Sequence, residues 1–490
     1  HFTAVDQECD VFLNGVRLCS HQGGYDSFSV FIDKLDEHNI LELIVTDYTD
    51  SDIYPRGKQM IKNGGIWYTP TSGIWGEVFL ELLEDNFYIK DFNIRPAFNS
   101  KNVYIDAETA DDSSIIVEIF LDGRCVASKT FEKHTIVDLS ENFVSWSPNS
   151  PKLYEITIKY RFDVVKSSFG FKKFEKKKVG NSFFLFLNDK PIFLSALLDQ
   201  GYWPDGGLTA PGNDAINYDI QAIKRAGFNC LRKHIKIESM RWYHACDKNG
   251  VLVMQDIMNS GSKYSWWLIH LRPFINFDVN DIDNKILGRG RKESRDRFIV
   301  DMIANLKQLN PPTCICVWTL FNEGWGQFRT AEVYEKMKLY SGDKLIDATS
   351  GWYDRGIGDF SSYHIYFRSP KLKNDNSRVL SLSEFGGYSL SIPGHIYSEK
   401  KSFGYAKYSD NKSLNSALIK AYKIDLVREI TQNSLCVAVY TQLSDVEEEI
   451  NGILTFDRSI FKPDVDLVKD LNKAVYEAYS KTVEEKSLKI

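Results

Sequence analysis

Along residues 1 to 177, short apolar runs alternate with polar residues, and turn residues recur about every ten positions. Val11-Phe12-Leu13-Asn14-Gly15-Val16 carries an Asn-Gly hairpin signal, because both turn residues tolerate the positive φ that a two-residue β-turn demands. Residues 40–45 and 78–82 read as sandwich-core strands. From about residue 86 the rhythm changes, with Val103-Tyr104-Ile105, an apolar run over 115–120, an Asp122-Gly123 turn and a further run over 153–158. Strands at this spacing without a helical period predict two β-sandwiches, over 1–84 and 85–177. The basic run from Lys172 to Lys178 reads as a solvated edge or linker.

After Gly180, apolar runs alternate with helical patterns. Ile216, Ile220 and Ile223 share one helix face, closed by Gly227, and a second helix ends at Gly250. Strands are predicted at 192–194, 228–234, 251–254, 314–321, 345–349, 361–366, 378–383 and 436–442. Helices fall between most of them, and none is evident after the sixth. This pattern predicts a (β/α)8 barrel over 178–490, so the fold class is multidomain β and α/β. Glu323 and Glu384 each stand where a buried apolar run gives way to a Gly-containing loop. That is the catalytic rim of a parallel barrel, and two rim carboxylates are the minimum equipment for breaking a glycosidic bond.

Composition narrows the picture. A chain of 490 residues predicts several domains, and 43% hydrophobic with 26% charged residues describes a globular protein. A net charge of -6 without a basic, aromatic-interleaved stripe argues against a nucleic-acid partner. No apolar run approaches the roughly eighteen residues of a membrane span. The eight cysteines are scattered, and Cys314 and Cys316 lack Cys-x-x-Cys spacing, so reduced, mostly buried thiols and a reducing compartment are expected. No His and carboxylate cluster has metal-ligand spacing, so neither metal nor cofactor is expected. The cytoplasm is the expected location. No signal peptide is visible, and an N-terminus lost or missing from the chain leaves secretion open.

Several motifs then converge. Residues 67–75 (Trp-Tyr-Thr-Pro-Thr-Ser-Gly-Ile-Trp), Trp146-Ser147-Pro148 with Pro151-Lys152-Leu153-Tyr154, the stretch 188–194, Asn322-Glu323 and Ser383-Glu384-Phe385-Gly386 together resemble glycoside hydrolase family 2. That family comprises β-galactosidases, β-glucuronidases and β-mannosidases, and the resemblance covers essentially the whole chain. It implies a jelly-roll-like, sugar-binding first sandwich, an immunoglobulin-like second sandwich and a catalytic TIM barrel. The first sandwich is expected to be incomplete, because His1 falls about halfway through the family's domain.

The resemblance also assigns roles. Glu384 is the nucleophile and Glu323 the acid/base of a retaining mechanism, which needs carboxyl groups about 5–5.5 Å apart. Asn322 donates to the sugar 2-hydroxyl, Arg232 keeps Glu384 ionised, and Tyr366 donates to Glu384. His364 lines the pocket or is structural. Asp256 and Gln442 touch substrate or support from behind it, and Trp325 stacks on a sugar or packs its own loop. Asp199, the stretch Trp203-Pro204-Asp205-Gly206 and Asp445 are further rim candidates. The carbohydrate partner is expected to be a terminal β-D-galactoside. A glucuronidase is disfavoured because Asn411-Lys412 and Lys400-Lys401 do not match the family's Asn-x-Lys element, while a mannosidase stays open. A homo-oligomer, dimer or tetramer, is implied. Two further classes compete: a non-catalytic carbohydrate-binding protein, and a Schiff-base aldolase, which would need Lys233 or Lys236 at a strand end.

Overall fold

A computed structural model of the chain describes residues 1–83, 87–263, 265, 275, 277–282 and 285–488. Glu8–Leu13, Val16–Gln22 and Leu41–Thr46 form an antiparallel sheet with Glu8–Leu13 in the centre. The expected hairpin is there, with Asn14 and Gly15 at φ 51° and 78°. Val11 and Cys9 pack inward against Phe2 and Val5. Two expectations need correction. Residues 41–46 are a strand but not a fully buried one: Leu43 and Val45 pack against the Phe2, Val5, Cys9 and Val11 cluster, while Ile44 on the opposite face and Leu41 at the strand's start are exposed. Residues 78–82 form no strand beyond a Val78–Phe2 bridge, and Phe79, Leu80 and Leu82 face solvent. Apolar content alone suggested a strand there, but a strand needs a partner on which to satisfy its amides.

The next unit is a two-sheet sandwich. His134–Asp138, Asn102–Glu108 and Asp91–Ala97 form one sheet, and Asp163–Phe169, Tyr154–Tyr160, Ile115–Leu121 and Arg124–Phe131 the other. Alternate inward residues, including Ile105, Val117, Ile119, Ile156 and Ile158, fill the space between them. The basic run is not a linker. Phe174–Val179 is a strand paired with Ser182–Leu187. Lys173 and Lys177 each pair with Glu175 and Asp189, and the Lys172 ammonium donates to the Ile315 carbonyl at 2.7 Å. Only the two ends of the strand, Phe174 and Val179, are buried, and the charged residues between them stand on both of its faces.

The barrel strands are Leu194–Asp199, Cys230–Lys233, Leu252–Asp256, Ile315–Asn322, Leu345–Ser350, Phe360–Ile365, Val379–Gly386 and Leu435–Thr441. The parallel ladder runs fifth, fourth, third, second, first, eighth, seventh, sixth. The fifth and sixth strands meet across the seam, where the Ser362 hydroxyl donates to Asp347. Every residue of the fourth, seventh and eighth strands is buried, which is why they read as continuous apolar runs. Helices Asn213–Arg225, Met240–Asn249, Lys292–Gln308 and Thr330–Lys338 lie outside, and Val465–Ser487 closes the chain. As expected, none separates the sixth and seventh strands. Among the described residues no helix is long and apolar enough to cross a membrane. The cysteines are unpaired, six of them buried, with Cys19 half-buried and Cys125 exposed.

The 54–72 loop of the first sandwich lies on the barrel mouth. The Gly57 amide donates to the Asn259 carbonyl at 3.1 Å, and Trp67 meets Trp325 edge-on at 5.0 Å. Asn63 donates to Glu447 at 3.0 Å, and the Tyr68 hydroxyl donates to buried Glu449. Gly57 sits at φ 60°, where an added Cβ would lie 2.7 Å from the Ile235 carbonyl oxygen, so this close approach requires glycine.

Candidate active site

Parallel strands bring their C-terminal residues to one end of the barrel, and there Arg232 is the hub. It is the penultimate residue of the second strand and is wholly buried. Its Nε and Nη2 donate to the two Asp256 oxygens, both at 3.0 Å; Nη2 also donates to Asn322 Oδ1 at 2.8 Å. Nη1 donates to Glu384 Oε1 and to the Ser383 carbonyl, each at 3.0 Å. A planar guanidinium fits this forked set, where a lysine would supply a point charge. Asp256 therefore stands behind the cleft, both of its oxygens engaged by Arg232. The same bond turns the Asn322 carbonyl away from the cleft and leaves its amide nitrogen as the group that can donate.

Glu384 lies in the seventh strand and is buried. Burial pushes its carboxyl up, but His364, Arg232, the Tyr366 hydroxyl and Lys58 outweigh it, and the net shift is below the ordinary value. The nucleophile candidate is thus held charged. Tyr366, one residue beyond the sixth strand, donates to Glu384 Oε2. Its ring stacks on Tyr405, with centroids 3.8 Å apart and planes 3° off parallel.

Glu323 follows the fourth strand in a left-handed conformation, φ 51°, which an ordinary residue adopts at a cost. Its amide donates to the Ser350 carbonyl at 2.9 Å. Gly324, at φ 70°, has no room for a side chain: a Cβ would lie 2.2 Å from the Tyr353 ring. The turn swings Glu323 towards His364, whose Nδ1 lies 2.8 Å from Glu323 Oε1. The other ring nitrogen of His364 is 3.1 Å from Ser350 Oγ and 3.6 Å from Glu384 Oε1. His364 is thus wedged between the two carboxylates, and one donor atom from each of the three residues lies within 4.8 Å of the others. Sequence spacing showed no such cluster, because the fold assembles it from three separate strand ends.

Other candidates fall elsewhere. Trp325 is buried with Leu287, Trp352 and Tyr353, under the Arg56 guanidinium, and packs its own loop. Gln442 is buried, its Oε1 accepting from Gln200 at 2.8 Å. Asp199 accepts from Lys233 at 2.6 Å, and Lys233 and Lys236 both pair with Glu238. Asp445 is tied to Lys462 at 2.7 Å and braces the loop after the eighth strand; burial pushes it up to about 6. Trp203 and Gly207 bridge to form a rim loop under Arg458. Sequence reasoning missed His234, Gln200, Glu449 and Lys58. His234 follows the Arg232 strand, a position that could have flagged it. Lys58 and Glu449 carry no local signal, since only the docked loop brings them together.

No protein-family model matches the chain. The β-galactosidase of Thermoanaerobacterium thermosulfurigenes is 26% identical over 330 residues, 60% of this chain and 44% of that protein. The β-galactosidase of Thermoanaerobacter pseudethanolicus is 23% identical over 285 residues, 52% of this chain and 36% of that one. The chain thus spans less than half the length of these two curated relatives. The β-D-glucuronidase of Dictyoglomus thermophilum superimposes with a TM-score of 0.72 at 16% identity, covering 96% of this chain and 86% of that one. A GH2 β-galacturonidase from Eisenbergiella tayi gives 0.67 at 17%, with the same coverage. The solved structures show the fold, and the sequence is similar to β-galactosidases over part of its length. The motifs quoted above then find their places. Trp75 of the 67–75 stretch donates to the Gly24 carbonyl at 2.8 Å inside the first sandwich, while Trp67 faces the barrel. Asn322-Glu323 and Ser383-Glu384 stand opposite each other at the rim.

Proposed function

We propose that the chain is a retaining exo-β-glycosidase acting on terminal β-linked sugars, with β-D-galactosides first. The observation that carries this reading is the meeting of Glu323 and Glu384 around His364, with donor oxygens within 4.8 Å. That separation suits direct attack; an inverting enzyme needs about 6.5–9.5 Å to seat a water between its carboxylates. Glu384 Oε attacks the anomeric carbon, the bond to the leaving oxygen breaks, and Glu323 gives that oxygen its proton. Water then attacks the glycosyl–enzyme ester while Glu323 takes a proton from it, freeing Glu384 and the sugar with its β configuration kept. Arg232 and Tyr366 hold the nucleophile charged and aimed, and the Asn322 amide is placed to meet the 2-hydroxyl. The galacto preference is supported by the names of the curated relatives, an associational warrant. Schiff-base chemistry finds no support, since the Lys233 ammonium is held by Asp199 and Glu238.

The test is hydrolysis of 4-nitrophenyl β-D-galactoside by the wild type and Glu384→Ala, with the product anomer followed by proton NMR. Glu384→Ala is expected to be silent and the wild type to release the β-anomer first. Equal rates would leave a carbohydrate-binding role, and an α-anomer would remove the retaining mechanism.

A further inference from the structure

Beside the two carboxylates runs a short chain of buried hydroxyls. Ser350, the last residue of the fifth strand, and Ser383 of the seventh are wholly buried. The Ser383 hydroxyl donates to the Tyr363 carbonyl at 3.4 Å, and the Ser350 hydroxyl donates to Ser383 Oγ at 2.9 Å. A carbonyl only accepts and a hydroxyl has one hydrogen, so both hydrogens are spent in that direction. His364 Nε2, 3.1 Å from Ser350 Oγ, therefore meets an acceptor and must itself carry a hydrogen. Glu384 Oε1, 3.6 Å from the same nitrogen, is a second acceptor and demands the same.

With Nε2 so assigned, Nδ1 of the neutral ring is a lone pair. It stands 2.8 Å from Glu323 Oε1, a contact that is a hydrogen bond only when a proton lies between the two atoms. Without that proton a carboxylate faces a lone pair, and moving the Nε2 hydrogen to Nδ1 leaves Nε2 bare against Ser350 and Glu384. The Ser350 carbonyl also accepts from the Glu323 amide at 2.9 Å, so one residue fixes both the backbone of the acid/base and the tautomer of its partner. Beyond the two glutamates, Asp347 on the fifth strand, His234 after the second and Tyr366 after the sixth bear on the ring. The cavity of about 460 Å³ that His364 borders adds Asp278, Asp354, Arg368 and Lys371.

We propose that Glu323 and His364 hold one proton in common, so that the acid of this site is the pair, with His364 as positioning residue and the Ser350–Ser383 chain keeping its tautomer. This role rests on the retaining-glycosidase reading and deepens it. The shared proton passes through the Glu323 carboxyl group to the leaving oxygen as the glycosidic bond breaks. The water that later attacks the glycosyl–enzyme ester gives a proton back to the pair.

The test is the alkaline limb of kcat/KM, which reports the free enzyme's acid and so belongs to the pair. It is read in the full chain on phenyl and 2,4-dinitrophenyl β-glycosides of the sugar that the wild type turns over. The dinitrophenyl leaving group needs no acid and should show no such limb. Ser383→Ala removes one oxygen, three hydrogen bonds away from Glu323. It frees the Ser350 hydroxyl to donate to Nε2, so that Nδ1 takes the hydrogen and the Glu323 carboxylate is satisfied without the shared proton. The phenyl-glycoside limb is expected to move down by about 0.5–1 unit, the worth of one hydrogen bond. Ser350→Ala should move it the same way. His364→Asn, whose amide donates to Glu323 but takes up no proton, should lower it by about one unit or more. A merely structural serine would lower the rate at every pH and leave the limb in place. A limb that stays or moves up in Ser383→Ala, or one shared equally by the dinitrophenyl glycoside, overturns the proposal, whatever His364→Asn does. Those outcomes leave Glu384→Ala silent. Only a fully active Glu384→Ala removes the glycosidase reading beneath it.

Discussion

Replacing Tyr366 by phenylalanine removes one oxygen and little else, because the ring keeps its stacking on Tyr405. The lost hydroxyl donates to Glu384 Oε2, while Oε1 keeps its 3.0 Å bond from Arg232. A hydrogen bond to a buried charged group contributes about 1.5–3 kcal/mol. At about 1.4 kcal/mol per unit, Glu384 should titrate roughly 1–2 units higher in the variant. The sign follows from the direction of the native shift. Glu384 sits below its ordinary value, so the wild type keeps its charged nucleophile down to mildly acidic pH and loses it only as the pH falls through that lowered value. In Tyr366→Phe the acid limb of kcat/KM moves up by that amount, and below the limb the rate falls about 10- to 100-fold. The assay is a kcat/KM profile on a 4-nitrophenyl glycoside from pH 4 to 9, with melting temperatures at each pH to exclude unfolding. An acid limb that stays in place would mean that the tyrosine does not tune the nucleophile.

Three further outcomes are expected. Arg232→Met leaves Asp256 and Glu384 buried without a counter-charge, so it should abolish turnover and cost about 3–5 kcal/mol at pH 7 in denaturant unfolding; that deficit should shrink as the pH falls and the carboxylates take up protons. Gly324→Ala forces a methyl into the Tyr353 ring and displaces Glu323, so hydrolysis of a 4-nitrophenyl glycoside should drop about 100-fold, while a dinitrophenyl glycoside, whose leaving group needs no acid, should lose far less. Asp347 is pushed up from 3.8 to about 6 by burial, only partly offset by Ser362, so wild-type stability should decline as the pH rises through that window; Asp347→Asn should flatten the slope and be more stable at pH 7.5 by about 1–3 kcal/mol, measured as a shift in urea midpoint.

The sequence carried the barrel because its strands are buried on both faces and its helices keep a 3.6-residue period, two signals local to each segment. Both glutamates were legible for the same reason, each closing an apolar run before glycine. Arg232 was legible as a charge ending an apolar stretch, but its fork onto Asp256 was not, since that contact joins two strands. The misreadings cluster where burial depends on a partner. Residues 78–82 are apolar enough for a strand but gain only the Val78–Phe2 bridge and the backbone bonds between Phe79 and His1, whereas the lysine-rich Phe174–Val179, read as an edge or a linker, is an edge strand buried at its two ends. His364 could be placed on a strand but not between two carboxylates, and Lys58 lies on a loop that gains meaning only once docked.

The 54–72 loop is seated by apolar as well as polar contacts: Tyr68 shares the buried cluster of the barrel strands and meets Tyr202 edge-on at 4.7 Å, Trp67 packs on Trp325, and Tyr68, Asn63 and the Gly57 amide add hydrogen bonds to Glu449, Glu447 and Asn259. One continuous interior therefore spans the first sandwich and the barrel. Warming or mild chaotrope should unfold the two together, so that turnover and helical ellipticity fade over the same range.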